Sequence, residues 1–155
     1  MTLLAVIRIR GRVDVPPDVK KTLELLRLHK KFHAVLVDDR PSYLGMLRKI
    51  QDYVTWGEID KETLALLLRR RGRLEGGARL TDEYVRKYGF PSIDELAKAL
   101  VEGKAKLTDV PKLKPVFRLA PPSGGFKGTI KRHYGDGGEL GYRGPAINEL
   151  IRRMA

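Results

Sequence analysis

The segment that decides the fold is Leu3–Arg10, which reads LLAVIRIR. Its β-branched residues predict a strand. Strand side chains point alternately to opposite faces, so the odd positions of this segment form one wholly apolar face. The even positions begin apolar and become basic at Arg8 and Arg10. The pattern predicts a strand with one face in a core and a basic far end, which Arg12 continues.

Two helices and two further strands are predicted in the rest of residues 1–60. Pro16-Pro17-Asp18 opens a helix, because proline suits a first helical turn. On this helix Lys20, Arg27 and Lys31 are spaced by seven and four residues and are expected to share one face. The remaining elements are a strand at Phe32–Val37, a short helix from Pro41 and a strand at Tyr53–Trp56. The order β-α-β-α-β predicts an α+β fold, with two helices covering a small sheet.

Residues 61–110 read as a helical domain. Asp60 is a predicted N-cap for a helix that ends in Arg69-Arg70-Arg71. Thr81 is a predicted cap for a short helix to about Tyr88. Ser92-Ile93-Asp94-Glu95 forms a capping box, and the apolar spacing behind it predicts a helix that continues to Val101.

Residues 111–155 carry the densest positive charge of the chain. They hold 9 basic and 3 acidic side chains, whereas residues 1–60 and residues 61–110 each hold 11 basic and 8 acidic ones. Glycine and proline are also concentrated there. Together these features predict a basic extension that is held in place by its binding partner. Two alternatives stay open, an extension free of the core and one that packs back on it. Within it the pattern favours a strand at Val116–Leu119, a turn at Gly135–Gly138 and a helix at Pro145–Met154. Whether residues 111–134 add strands to the first sheet stays open.

The overall charge indicates a polyanionic partner. The chain has 155 residues with a formal net charge of +12, and 42% of the residues are hydrophobic, enough to fold. So large an imbalance costs self-repulsion and favours nucleic acid as the partner, ahead of an anionic membrane surface. No stretch approaches the roughly 20 apolar residues of a membrane span, and no cysteine is present for thiol or zinc chemistry. We therefore expect a cytoplasmic protein.

Patterns of catalysis are weak in this chain. Gly124–Gly128 lacks the Gly-Lys-Ser/Thr element of a phosphate-binding loop, and Gly135–Leu140 lacks the third glycine of a dinucleotide fingerprint. Asp38-Asp39 could hold magnesium, but adjacent strand residues point to opposite faces, so a role of Asp38 as a turn or cap partner, which could include an ion pair with Arg40, is favoured. The three histidines lack metal-ligand spacing. We expect no enzyme activity, no cofactor, no metal site and no small-molecule substrate.

The basic residues support nucleic-acid binding more directly. Arg8, Arg10 and Arg12 can each contact phosphate with a forked guanidinium. In the C-terminal segment, cations alternate with aromatic residues in Lys131-Arg132-His133-Tyr134 and in Tyr142-Arg143. Aromatic rings stack on unpaired bases while cations hold phosphates, a combination typical of RNA binding.

An alternative is a free-standing DNA-binding regulator. The two helices predicted at Thr81–Tyr88 and Ser92–Val101, joined by Gly89-Phe90-Pro91, resemble a helix-turn-helix. The second helix presents Asp94 and Glu95 where a recognition helix would approach phosphates. Its net-negative face disfavours this alternative.

Three long strings resemble a known family. They are LAVIRIRG at Leu4–Gly11, TLELLRLHKKFHAVLVDD at Thr22–Asp39 and YLGMLRKIQDYVTWGEID at Tyr43–Asp60. Together with FKGTIKRHYGDGGELGYRG, which begins at Phe126, they resemble the large-subunit ribosomal protein family L-thirty, in its archaeal branch, whose eukaryotic counterpart is L-seven-e. The resemblance extends over essentially the whole chain.

This resemblance implies a ferredoxin-like β-α-β-α-β core that binds ribosomal RNA, with a helical insertion and a C-terminal extension. It implies a structural role in the large (50S) subunit, beside neighbouring ribosomal proteins. By position it implies RNA contacts for the basic strand end, the first helix, the start of the second helix and the C-terminal segment. The candidate RNA-binding residues are Arg8, Arg10, Arg12, Lys20, Arg27, His29, Lys30, Lys31, Arg40, Ser42, Lys49, Lys127, Lys131, Arg132, His133, Tyr134 and Arg143.

Overall fold

The computed structural model describes residues 2–155. Its strands are β1 (Leu3–Arg8), β2 (His33–Asp38), β3 (Val54–Glu58), β4 (Val116–Arg118), β5 (Thr129–His133) and β6 (Gly138–Tyr142). Its helices are α1 (Pro17–Leu25), α2 (Pro41–Lys49), α3 (Lys61–Arg71), α4 (Asp82–Arg86), α5 (Ile93–Val101) and α6 (Ile147–Met154). Short 3₁₀ turns lie at Leu107–Asp109 and Gly144–Ala146.

The strands form one mixed sheet in the order β4-β2-β1-β3-β6-β5. β1 lies between β2 and β3 and is antiparallel to both, so that Val6 is opposite Val35 on one side and Trp56 on the other. β2 and β3 therefore run in the same direction, and α2 is the crossover between them. The predicted order of the first five elements is confirmed.

Both faces of β1 are buried, whereas the sequence predicted one. Ala5 and Ile7 pack with the apolar side chains of α3, α5 and α6 on one side of the sheet. Leu4 and Val6 pack with those of α1 and α2 on the other side. A strand covered on both faces reads as a continuous apolar run, as the first half of LLAVIRIR does.

The predicted caps of α3, α4 and α5 are confirmed. The Asp60 carboxylate accepts the N–H of Thr63 at 2.7 Å, and the Ser92 hydroxyl accepts the N–H of Glu95 at 3.2 Å. The Thr81 hydroxyl accepts from the N–H of Tyr84 at 3.2 Å. Each side chain satisfies a backbone donor that the first helical turn leaves unpaired.

The shared helical face predicted for Lys20, Arg27 and Lys31 is wrong, because α1 ends at Leu25. Arg27 has a left-handed φ of 63°, its N–H bonds to the carbonyl of Glu24, and the Leu28 N–H bonds to the carbonyl of Leu23. This pair of bonds is the Schellman ending of a helix, here with arginine at a position usually held by glycine. Only Lys20 of the three lies on the helix.

The C-terminal third is part of the core and not a free arm. β4 extends the sheet beside β2, with Val116 opposite Val35, and β6 pairs in parallel with β3, with Tyr142 opposite Trp56. β5 pairs with β6 in an irregular register. The fully buried apolar side chains of this segment are Phe117, Leu140, Ile147, Leu150, Ile151 and Met154. They pack in the same apolar cluster as Ala5 and Ile7 of β1. Residues 1–60, 61–110 and 111–155 therefore all contribute to one core.

A buried ion pair fastens this segment to β3. The guanidinium of Arg143 donates to the Glu139 carboxylate at 2.7 Å, with the side chains 3% and 4% exposed. Its Nε donates to the Thr55 hydroxyl at 2.7 Å, and the second carboxylate oxygen of Glu139 accepts the N–H groups of Lys127 and Gly128, both at 3.0 Å. The two buried charges are thus hydrogen-bonded as well as paired.

Replacing Arg143 by Met should lower the free energy of unfolding by about 3–5 kcal/mol, because Glu139 would remain as a buried, unpaired charge. Chemical denaturation followed by circular dichroism measures the change. Arg132→Met removes an exposed arginine of the same segment and should alter stability by no more than about 0.5 kcal/mol. Equal effects of the two substitutions would contradict the anchoring role of Arg143.

Candidate nucleic-acid interface

Cations gather at one end of the sheet. The end of β1 and the starts of β2 and β3 meet there, because β1 is antiparallel to both neighbours. We call this region the cationic end and define it by Arg10, Arg12, Arg27, His29, Lys30, Lys31, Arg118 and His133. Arg10 and His133 are partly buried, and the other members are exposed. The loop from residue 27 to residue 31 supplies half of them.

Arg8 holds the two loops of the cationic end together from inside. Its side chain is buried, with 4% of the residue exposed. The guanidinium donates to the carbonyl oxygens of Leu28 at 2.7 Å, Arg10 at 2.9 Å and Gly11 at 3.1 Å. Burial lowers the pKa of Arg8, and the nearby charge of Arg12 lowers it further. Arg8 therefore positions the cations around it and is not itself presented to solvent.

The start of β3 ties β5 to the same end. Arg10 donates to the Asp52 carbonyl at 3.4 Å, and its guanidinium lies 5.1 Å from the centre of the Tyr53 ring. The His133 Nε2 lies 2.8 Å from the Asp52 carboxylate. A second link joins the rings of Phe32 and Phe126, whose centres are 6.2 Å apart. The basic segment that begins at Lys127 is thus held beside the loop before β2.

His33, at the start of β2, has a lowered pKa. Burial lowers its pKa, and the charges of Arg118, His29, Lys30 and Arg8 lower it further, in that order. The His33 Nδ1 is buried and has no hydrogen-bond partner among the described residues. Burial and the neighbouring positive charges therefore both disfavour protonation of His33.

Several predicted residues lie elsewhere. Arg40 and Ser42 are at the opposite end of the sheet, where Arg40 donates to Asp38 at 2.7 Å in the ion pair that the sequence predicted. That hydrogen bond lowers the pKa of Asp38. The Lys49 ammonium at the end of α2 lies 3.9 Å from the Asp18 carboxylate in the first turn of α1. Lys20, Lys131 and Arg132 are exposed.

Arg143 was expected on the surface, as Arg8 was, and the structure buries both. The guanidinium of Arg143 lies 4.9 Å from the centre of the exposed Tyr134 ring, so it supports that aromatic side chain from within. Lys127 is exposed and lies 3.6 Å from the Glu149 carboxylate. Sequence reasoning missed Arg118, which lies opposite His33 in the sheet. Its position at the end of the predicted strand Val116–Leu119 was the signal available.

The second helix of the supposed helix-turn-helix is packed into the protein. Ile93, Leu96 and Leu100 of α5 are buried against the core that α3 shares. Asp94 and Asp82 both pair with Arg69 of α3, at 2.8 Å and 3.3 Å. The helix α5 is thus fixed against α3, and its outer side remains acidic.

The described residues show no arrangement that indicates catalysis. Among residues 2–155, no group of three His, Cys, Asp or Glu side chains is placed to hold a metal ion. None of the helices in this range has the length and the apolar run that crossing a bilayer requires. The fold and the cationic end together define a small, basic α/β protein with a positively charged surface at one end of its sheet.

Comparison with known proteins identifies the family. A sequence model of the family described as ribosomal protein L30p/L7e matches residues 4–54. The large ribosomal subunit protein uL30 of Thermofilum pendens is 61% identical over 155 residues, covering 99% of both chains. The uL30 proteins of Archaeoglobus fulgidus and Nanoarchaeum equitans are 58% and 52% identical, and each match covers at least 98% of both chains. The chain belongs to the ribosomal protein L30p/L7e family, as the resemblance of its sequence strings implied.

Replacing Arg8 by Met should destabilise the protein by about 2–4 kcal/mol, because three buried or half-buried carbonyls lose their donor. Arg12→Met, which removes an exposed arginine four residues away, should change stability by no more than about 0.5 kcal/mol. Thermal and urea unfolding of the two variants measure the difference. A stable Arg8→Met variant would show that the loops of the cationic end hold together without this guanidinium.

The lowered pKa of His33 predicts a pH dependence of stability. The unfolded chain, with an ordinary histidine pKa of about 6.5, binds a proton more readily than the folded chain. This contribution is therefore complete above about pH 7 and is lost as the pH falls through 6.5 toward the lowered pKa. Urea titrations between pH 7.5 and pH 5 should show a smaller loss for His33→Gln than for the unsubstituted protein. An equal loss in both proteins would contradict the assignment to His33.

Proposed function

We propose that the cationic end is the principal surface through which this chain binds ribosomal RNA. As a member of the L30p/L7e family, the chain is a structural constituent of the large ribosomal subunit and takes part in translation within the ribosome. Its role is architectural rather than enzymatic. The main observation in support of this RNA-binding surface is the convergence of exposed cations around the buried Arg8 guanidinium.

The chemistry of the cationic end suits a phosphate backbone. Lys30 and Lys31 supply mobile ammonium groups, whereas Arg12 supplies a planar guanidinium that can contact two phosphate oxygens. Tyr134 follows His133 of the cationic end, is 46% exposed and offers a ring face for an unpaired base. The candidates of the cationic end are proposed as direct contacts, namely Arg10, Arg12, Arg27, His29, Lys30, Lys31 and His133. The exposed candidates outside the cationic end are proposed as further contacts, namely Lys20, Lys49, Lys127, Lys131, Arg132 and Tyr134.

The opposite end of the sheet has a different proposed role. Arg40 and Ser42 would meet a separate RNA segment or a neighbouring large-subunit protein, because they lie too far along the sheet to share a contact with Arg12. Arg8 and Arg143 are proposed to act by positioning Arg10 and Tyr134, and not by touching RNA.

The fold supports a finer structural proposal as well. We infer that residues 1–60 form a ferredoxin-like unit, supported by the crossover of α2 from β2 to β3 over β1. In this view residues 61–110 are a helical insertion that covers the inner face of the sheet. Residues 111–155 are then an extension that completes the sheet at both sides.

RNA binding by the free protein should depend steeply on salt. With about six phosphate contacts, the logarithm of the binding constant should fall with the logarithm of salt concentration with a slope of about −4 to −5. Filter binding to protein-free large-subunit RNA of Thermofilum pendens, between about 50 and 300 mM salt, measures this slope.

A pair of variants locates the surface. Lys30→Gln with Lys31→Gln should make the slope shallower by about 1.4–1.8, since each lost contact accounts for about 0.7–0.9. Lys87→Gln with Lys98→Gln removes the same charge from exposed positions of the helical segment and should leave the slope unchanged. A flat salt dependence of the unsubstituted protein would refute the phosphate-binding role itself. Equal slopes for both pairs would show that the RNA-binding surface does not lie at the cationic end.

A further inference from the structure

A second cationic feature lies at the β4 edge of the sheet. It is a cavity of about 310 Å³ between the loop that follows α3 and the segment that leads into β4. We call it the β4-edge cradle; its lining residues are Arg71, Arg73, Gly77, Lys114, Val116 and Arg118. Four of these six residues are Lys or Arg, and no carboxylate lines the cavity within the described part of the chain.

The two walls of the cradle are held at a fixed distance by backbone hydrogen bonds. The N–H of Lys114 donates to the Arg73 carbonyl at 2.9 Å, and the N–H of Glu75 donates to the Lys112 carbonyl at 2.8 Å. A bridge between Leu74 and Leu113 lies between these bonds. The cations therefore do not come together by chance motion of two loose loops.

One of the four cations has an internal partner. Arg73 donates to the carbonyls of Arg70 at 3.2 Å and Gly72 at 2.9 Å, at the end of α3. Arg71, Lys114 and Arg118 make no ion pair with the described residues. Like charges that converge without a counter-charge repel one another, and a bound anion relieves this repulsion.

Two simpler explanations account for part of the arrangement. Cations in the last turn of a helix interact favourably with its dipole, which applies to Arg71. Charged side chains on an edge strand discourage pairing with another sheet, which applies to Arg118 on β4. Neither explains why Lys114, outside both elements, points into the same cavity as the other cations.

We infer that the β4-edge cradle binds the phosphodiester backbone of RNA at a contact separate from the cationic end. Arg118 links the two, since it lines the cradle and lies opposite His33 in the sheet. The RNA-binding surface then turns around the sheet edge onto the helical segment. This inference rests on the proposed function, because it names a further contact for the same RNA partner.

A matched pair of double variants tests the cradle. Arg71→Gln with Lys114→Gln removes two cations that line it. Arg70→Gln with Lys112→Gln removes two exposed cations that lie one and two positions away and do not line the cradle; Arg70 is in the same last turn of α3 as Arg71. Both pairs lower the net charge equally, so a general charge effect is the same in both. Each is measured by filter binding to the Thermofilum pendens large-subunit RNA over a salt series, with sedimentation to record self-association.

The cradle variant should bind RNA roughly ten-fold or more weakly at 0.1 M salt, with a slope shallower by about 1.4–1.8, while the control pair keeps the unsubstituted affinity and slope. Equal binding by the two double variants, with the unsubstituted protein binding normally, would overturn the cradle and leave the cationic end intact. Self-association of the cradle variant with undiminished RNA affinity would also overturn it, in favour of edge protection. Loss of salt-dependent binding in the unsubstituted protein would instead refute the proposed function.

Discussion

The buried ion pair between Arg143 and Glu139 is the constraint on which the architecture depends. Removing two charges from water is costly, and their attraction offsets this cost only when the remaining donors and acceptors are satisfied. Here Thr55 accepts from Arg143, and two backbone N–H groups bond to Glu139. These bonds join β6 and the segment before β5 to β3. The order β3-β6-β5 at this side of the sheet follows from that connection.

A second buried guanidinium, that of Arg8, stabilises the loops of the cationic end. The loops after β1 and before β2 carry several like charges, which on their own would drive the loops apart. Arg8 bonds to carbonyl oxygens of both loops, so a buried cation supplies the donors that hold exposed cations in place. Carbonyl oxygens are suitable partners, because they stabilise the guanidinium without neutralising the surface charge around it.

The sequence predicted local structure better than the roles of individual cations. Capping residues such as Asp60 and Ser92 and the apolar run of β1 are local signals, and the structure confirms the elements that they predicted. Burial of Arg8 and Arg143 depends on which loops and strands surround them, and no spacing along the chain encodes this. The placement of the C-terminal third was left open by the sequence for a related reason. Its core residues are interrupted by glycine and proline, so their contacts with β1 arise only through tertiary packing.

Charge is distributed unevenly along the axis of the sheet. β2 and β3 end in Asp38 and Glu58 at the end opposite the cationic end, and Asp39 and Asp60 follow them. These four carboxylates are therefore held about a strand length from Arg12 and Lys30, roughly 17–20 Å, beyond a Debye length at physiological salt. Burial is the main cause of the lowered pKa of His33, and the nearby positive charges lower it further. The cationic end of the free protein thus carries positive charge that the carboxylates at the opposite end of the sheet do not neutralise.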